Sequence, residues 1–349
     1  MTHAIMFSPP ETRQIVSPDH PKRVTGGPIR MRHEDDFMAN SVITNNWCLV
    51  RTVFVVLAAT AVTPAAGQRG PVVLRVPAST RALGLGNVFV VGSTDSDAVF
   101  YNAAFPDRLR GAGAAVQWWG SRATLYTVSG ATEWWGGGLA LGVRALDYGG
   151  GAAAGGAGPR FGEGDLRAST ATVVSERAAS LAYARRVKSV RGAVTAHLAE
   201  QRTSAGRDVI AGADVATGVE AGLIAAGLAV RNIGPGYQAA GLAVDQPVQL
   251  QLVAAAIRPA PVGALDVLPV LGVMYEVDGE LIPAGGVEVS YWPVSGRTFS
   301  LRLGARRADD GVRPWTVGAG FTGDRLILDY ALVPLVGERL VHRFGVRWR

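Results

Sequence analysis

From Arg297 to Arg306 the side chains alternate without a break: Phe299, Leu301, Leu303 and Ala305 share one face, and Thr298, Ser300, Arg302, Gly304 and Arg306 the other. The same period of two returns in the three segments that follow. Trp315, Val317, Ala319 and Phe321 oppose Thr316, Gly318 and Gly320; Leu326, Leu328, Tyr330 and Leu332 oppose Arg325, Ile327, Asp329 and Ala331. Leu340, Phe344, Val346 and Trp348 oppose Val341, Arg343, Gly345 and Arg347. Successive side chains of a strand point to opposite faces, so this pattern predicts strands with one apolar face and one face of arginine, glycine and small residues. A soluble sandwich alternates too. An arginine-rich second face combined with a secretory signal is the pattern of a barrel that turns its apolar side to lipid and its polar side to a wet lumen.

The signal lies at 38–67. Val53 to Val62 is a short apolar run, preceded by Arg51 and followed by Thr63-Pro64-Ala65-Ala66-Gly67, a small-residue cleavage site. Cleavage is expected after Gly67. The run is far shorter than the ~20 apolar residues of a spanning helix. Residues 1–37 are polar and aperiodic, and are expected to be an unstructured extension, an artefact of start-site assignment with Met31 or Met38 as the true start. The one cysteine, Cys48, precedes the cut and has no lipobox around it, so the mature chain carries no disulfide and no thiolate metal site. The net charge of +6 comes from arginines scattered one per strand, with Lys188 the sole lysine after the cut, so a nucleic-acid surface is not expected.

The remainder divides into about fourteen strands, an even number as bacterial barrels require. They are expected at 112–119, 123–129, 134–147, 167–186, 190–200, 207–215, 219–231, 248–257, 262–274, 285–292, 297–306, 313–321, 325–333 and 340–348. Connections from even to odd strands are uniformly short (130–133, 187–189, 216–218, 258–261, 293–296 and 322–324); the others are mostly long. Short turns belong to the periplasmic side, which puts both barrel ends there. Gly323-Asp324 reads as a tight hairpin and 149–158 as a glycine-alanine loop. Trp118, Trp119, Trp134, Trp135, Trp292, Trp315 and Trp348 fall near strand ends, where the ring meets apolar chains and the N–H meets water; one or two are alternatively core residues.

Residues 80–105 read TRALGLGNVFVVGSTDSDAVFYNAAF. Arg81, Ala82, Leu83, Gly84, Gly86, Phe89, Asp95, Ala98, Val99, Phe100, Tyr101 and Asn102 match a pattern that closely resembles the N-terminal signature of the PorV/PorQ proteins, relatives of the FadL-type transporters of long-chain fatty acids. Ala103 departs from it, since proline is usual there, and Arg349 follows the aromatic Trp348 where the chain usually ends in Phe. Ala229 to Pro235 and Leu328 to Ala331 with His342-Arg343 also look familial, so the resemblance spans about 75–349. It implies an all-β fold: a transmembrane antiparallel up-and-down barrel of 112–349, with 68–111 folded into the lumen as a hatch. The hatch candidates are Arg81, Gly84, Gly86, Asp95, Asp97, Tyr101 and Asn102; a first wall strand with a periplasmic tail is the alternative. Gly84-x-Gly86 lacks the third glycine and the strand–helix context of a nucleotide loop.

Arg302, Arg306, Arg325, Asp329, Arg343 and Arg347 are the lumen-facing candidates. These arginines either attract an anionic head group or pair with Asp329, Glu288 and one another. His197 and His342 lie on different strands with no nucleophile beside them, and no metal-ligand spacing occurs, so neither an enzyme nor a cofactor is expected. The expected role is binding or passage of hydrophobic small molecules across the bacterial outer membrane. The alternative is a non-transporting partner of a protein-secretion system, as PorV-like proteins are in type IX secretion.

Overall fold

The computed structural model describes residues 68–93, 95–104, 111–119, 123–149, 173–204, 206–239, 242–276, 281–307, 312–335 and 340–349. The expected extension 1–37, the signal at 38–67 and most of the 149–158 loop lie outside them.

Fourteen strands form the wall: β1 (Gly111–Trp119), β2 (Thr124–Trp134), β3 (Gly137–Asp147), β4 (Val173–Val187), β5 (Val190–Thr203), β6 (Arg207–Ala221), β7 (Ile224–Ile233), β8 (Gln249–Ala256), β9 (Leu265–Glu276), β10 (Leu281–Val294), β11 (Arg297–Arg306), β12 (Trp315–Thr322), β13 (Leu326–Pro334) and β14 (Leu340–Trp348). Each pairs antiparallel with the next. Val341 of β14 pairs with Trp119 of β1, which closes the barrel. Among the described residues the fourteen long strands leave no open edge, as a lipid-embedded wall demands; the short strand Ala260–Val262 pairs with β9 alone, beside the turn.

The alternation sets the register. Leu301 and Leu303 are 67% and 66% exposed, while Arg302 between them is 4% exposed. Val194 and Leu198 likewise point out, and Thr195 and His197 point in. The outer surface is therefore a continuous apolar band, the surface of a membrane barrel.

Three expected turns move by several residues. The chain passes straight through 130–133 and 216–218 and turns instead at Trp135-Gly136 and Gly222-Leu223; the turn expected at 258–261 falls at Gly263-Ala264. The small and polar residues Gly130, Thr132 and Thr217 that suggested turns lie within β2 and β6. The real turns sit where the backbone takes positive φ, at Trp135 (52°), Gly136 (70°), Gly222 (59°) and Gly263 (62°). β2 and β6 are longer than expected for the same reason, and β10 gains residues at both ends. The Gly323-Asp324 hairpin is tight, with Gly323 N–H donating to the Leu326 carbonyl at 2.8 Å. β4 is described from Val173, and its expected start at 167 lies outside the described residues.

Candidate functional site in the lumen

Residues 70–93 and 95–104 pack against inward-facing positions of the wall. A 3-10 turn at Val72–Leu74, the short helix α1 (Thr80–Gly84) and a second 3-10 turn at Ser96–Phe100 punctuate an otherwise irregular path. Ser79 caps α1 by accepting from the Ala82 N–H. The segment meets the wall around its circumference: Phe100 packs on Gly142 of β3, Val91 on Gly227 of β7, Val88 on Gly272 of β9, Leu85 on Gly286 of β10 and Thr80 on Gly345 of β14. It also runs from one mouth to the other. Gln68-Arg69 pairs in parallel with Val244-Asp245 of the long β7–β8 connection. Val99 and Phe100 cluster with Ala184 and Ala193, which flank the short β4–β5 turn. Glycine is required where backbones touch. A side chain on Gly304 would collide with the Gly86 N–H, and one on Gly318 would stand 3.1 Å from the Gly84 Cα.

Six charged side chains join into a closed ring. Arg81 grips Glu288 through Nε (2.9 Å) and Nη2 (2.6 Å). Glu288 Oε2, which accepts Arg81 Nε, also accepts Arg302 Nε at 2.6 Å, and Arg302 Nη1 reaches Asp329 at 2.6 Å. Asp329 accepts Arg347 Nη2, also at 2.6 Å. Arg347 then contacts Asp95, which meets Arg81 at 3.4 Å and completes the circuit. Four members come from β10, β11, β13 and β14; two come from the lumen segment. The wall four sum to zero charge, and so do the segment two. Charge-assisted bonds between buried partners are strong, provided every partner stays.

A second hub is Arg343, fully buried. Its guanidinium donates to Thr80 Oγ1 and Gln117 Oε1 (both 3.1 Å), to Thr127 Oγ1 (2.6 Å) and to the carbonyls of Pro77 and Ala78. The Tyr101 hydroxyl accepts from the Ala78 and Ser79 N–H groups at 3.0 and 3.2 Å and donates to Asn87 Oδ1 at 2.9 Å. Asn102 reaches the Thr217 and Leu228 carbonyls and accepts from the Ala104 N–H, closing the turn in which Ala103 stands. Asp97 accepts from Ser129 Oγ at 2.7 Å rather than from an arginine. Burial pushes its carboxyl up, against that hydrogen bond.

Among the hatch candidates, Arg81 and Asp95 thus meet in the ring, Gly84 and Gly86 make the close approaches, and Asp97, Tyr101 and Asn102 anchor to the wall or to the segment itself. Arg302, Asp329, Arg343 and Arg347 face the lumen. Arg306 is partly buried at the end of β11. Arg325 does not face the lumen: it is exposed in the β12–β13 turn, one residue before β13 begins, so the alternation had not yet started there. Six of the seven tryptophans are exposed; Trp119 is 5% exposed, because the alternation that turns Trp118 outward turns its neighbour inward. Sequence reasoning passed over Arg75, Arg144, Glu176 and Arg231. The last three occupy inward positions of β3, β4 and β7, and the alternation extended to those strands would have found them.

No protein-family model matches the chain, and no curated protein matches it by sequence. Among solved structures it is similar to a mutant of TodX, a monoaromatic hydrocarbon channel, at 9% identity and a TM-score of 0.46, over 77% of this chain and 97% of that one. It is also similar to the KdgM porin, at 9% identity and a TM-score of 0.32, over 68% of this chain and 98% of that one. A mutant of the Rh. blastica porin stands at 11% identity and a TM-score of 0.31, with the same coverage.

Proposed function

We propose that the chain is an outer-membrane channel protein for hydrophobic small molecules, with residues 70–104 acting as its hatch. In this reading it is a FadL-like barrel of the PorV/PorQ kind, exported by cleavage near Gly67, with the short turns in the periplasm. The observation that carries it is the clasp formed by Arg81 and Asp95. The wall residues Glu288, Arg302, Asp329 and Arg347 stay charge-balanced without the segment, so the hatch can leave without stranding a net charge on the wall. A narrow cleft lies against the segment between Val88, Val253, Met274 and Ile282, with Asn87, Gln251 and Arg306 also in its lining.

Deletion of 78–106 tests the hatch. The expected product is a folded, heat-modifiable barrel with higher conductance in planar bilayers than the full chain. Unchanged conductance in a folded deletion mutant would reject the hatch, and failure to fold would make the segment part of the wall's own stability. Uptake of a radiolabelled hydrophobic solute by cells producing the full chain tests transport. The tightly packed segment supports the second reading, a non-transporting partner of a secretion system, which gains if neither full chain nor deletion mutant passes the solute.

A further inference from the structure

Among the described residues, two buried guanidiniums of the lumen have no carboxylate at ion-pair distance, although Asp214 attracts Arg144 from farther away. Arg144 of β3 and Arg231 of β7 are 3% and 6% exposed. Other lumen arginines meet their opposite charge: three in the ring, Arg75 with Glu276 at 2.8 Å, and Arg191 with Glu220 at 3.0 Å. Arg343 spreads its donors over several oxygens. Arg144 makes one hydrogen bond, from Nη1 to the Leu74 carbonyl at 3.5 Å. Arg231 gives Nη2 to that same oxygen at 3.4 Å and Nη1 to Gln249 Oε1 at 3.3 Å. The Nε–H groups of both are buried without an acceptor. The Phe100 and Tyr101 rings stand 5.0 and 5.9 Å from the two guanidinium carbons, covering one face of each and leaving the donor edges bare. Asp214 makes no ion pair with either; its carboxylate takes the Asn232 N–H at 2.7 Å and lies 3.5 Å from His197 Nδ1.

Two like charges sharing one neutral oxygen in a dry site repel each other, and a guanidinium does not shed its proton to relieve the cost. Buried charges are paired, and each arginine has five N–H donors to place. We propose that a small inorganic monovalent anion, of the chloride type, binds between Arg144 and Arg231 on their Nε–H edges. It supplies the missing counter-charge. Because both arginines also hold the Leu74 carbonyl, the anion fixes residues 72–76 in the end of the lumen nearest the long loops. The site stands whether or not the barrel transports anything.

The test uses the full mature chain in detergent. Thermal midpoints are compared as sodium gluconate is replaced by sodium chloride at constant ionic strength. A saturable rise is expected, absent from Arg144→Gln, Arg231→Gln and the double variant. Superimposed midpoints for the unaltered protein, or a saturable rise that persists in the double variant, would overturn the site. Should those variants fail to fold, crystals of the unaltered protein soaked in bromide decide it. An anomalous peak within hydrogen-bonding reach of both guanidiniums is expected, and density free of bromide there rejects the proposal.

Discussion

Arg81 and Glu288, more than two hundred residues apart in sequence, form a two-pronged ion pair at 2.6 and 2.9 Å between the lumen segment and β10. Glu288 holds a second guanidinium, Arg302, through the same Oε2 that takes one of these prongs. The wall thus holds its own carboxylate in place and lends it to the segment.

Arg81→Gln removes the cation behind both prongs and leaves Asp95 with Arg347 alone. Breaking a buried pair by truncating one partner costs about 3–5 kcal/mol, and the spare guanidinium of Arg302 should pull this case to the lower end. Urea unfolding in lipid vesicles measures it. Bilayer conductance should rise in the same variant, because the clasp is opened while the wall remains balanced.

Gly304→Val acts from the opposite side. A side chain there occupies the place of the Gly86 N–H, so the segment, not the strand, has to move. Overpacking of this kind costs about 1–3 kcal/mol. Faster proteolysis at 84–90, with the barrel's heat-modifiability unchanged, is the expected readout.

Leu328 faces outward and Arg302 inward. Leu328→Arg places a guanidinium toward hydrocarbon and should cost ~2–4 kcal/mol near mid-strand. Arg302→Leu should cost about as much for a different reason, since Glu288 and Asp329 each lose a partner. Partial recovery by Arg302→Lys, which restores a cation between Glu288 and Asp329, would identify the second cause; Leu328→Lys should bring no such recovery to the first.

Asp97 gives a pH signature. Its carboxyl is pushed up in the folded protein by burial, so its contribution is fully favourable below the unfolded value, roughly 4, and is lost as pH rises through the folded one. Asp97→Asn still accepts from Ser129 but cannot ionise. The variant should therefore gain stability relative to the unaltered chain as pH rises from 4 to neutrality. A difference that stays flat over that range would contradict the burial argument.

The strand number, order and facing were legible because one residue of slip reverses every side chain, so Leu301, Arg302 and Leu303 admit one register only. Turn positions were less legible. Thr217 and Gly218 look like a turn in sequence, yet Gly218 lines an inner wall that must accommodate a packed segment, and Thr217 lies on the outward face between Val215 and Val219. The ring was half legible: Arg302, Asp329 and Arg347 stand out by alternation, whereas their union with Arg81 and Asp95 depends on folding across more than two hundred residues. Trp119 shows the opposite failure, an aromatic near a strand end whose facing, not its position, decides its role.

Gln68-Arg69 lies beside Val244-Asp245 at the long-loop mouth, and β1 opens at Gly111 on the opposite side. The chain is therefore threaded through its own ring of strands, like a cord through a bead. A ring closed first would have to draw the chain before residue 105 along its whole length, past the Arg343 hub and the Gly304 contact. Strands that curl around a segment already in place avoid that passage, which makes the β1–β14 seam the natural last step of assembly. The seam is also where Arg343 and Gln117, paired neighbours across β14 and β1, bind each other beneath Thr80 and Ala78. The order in which this molecule comes together is thus written into which end of the cord emerges on which side.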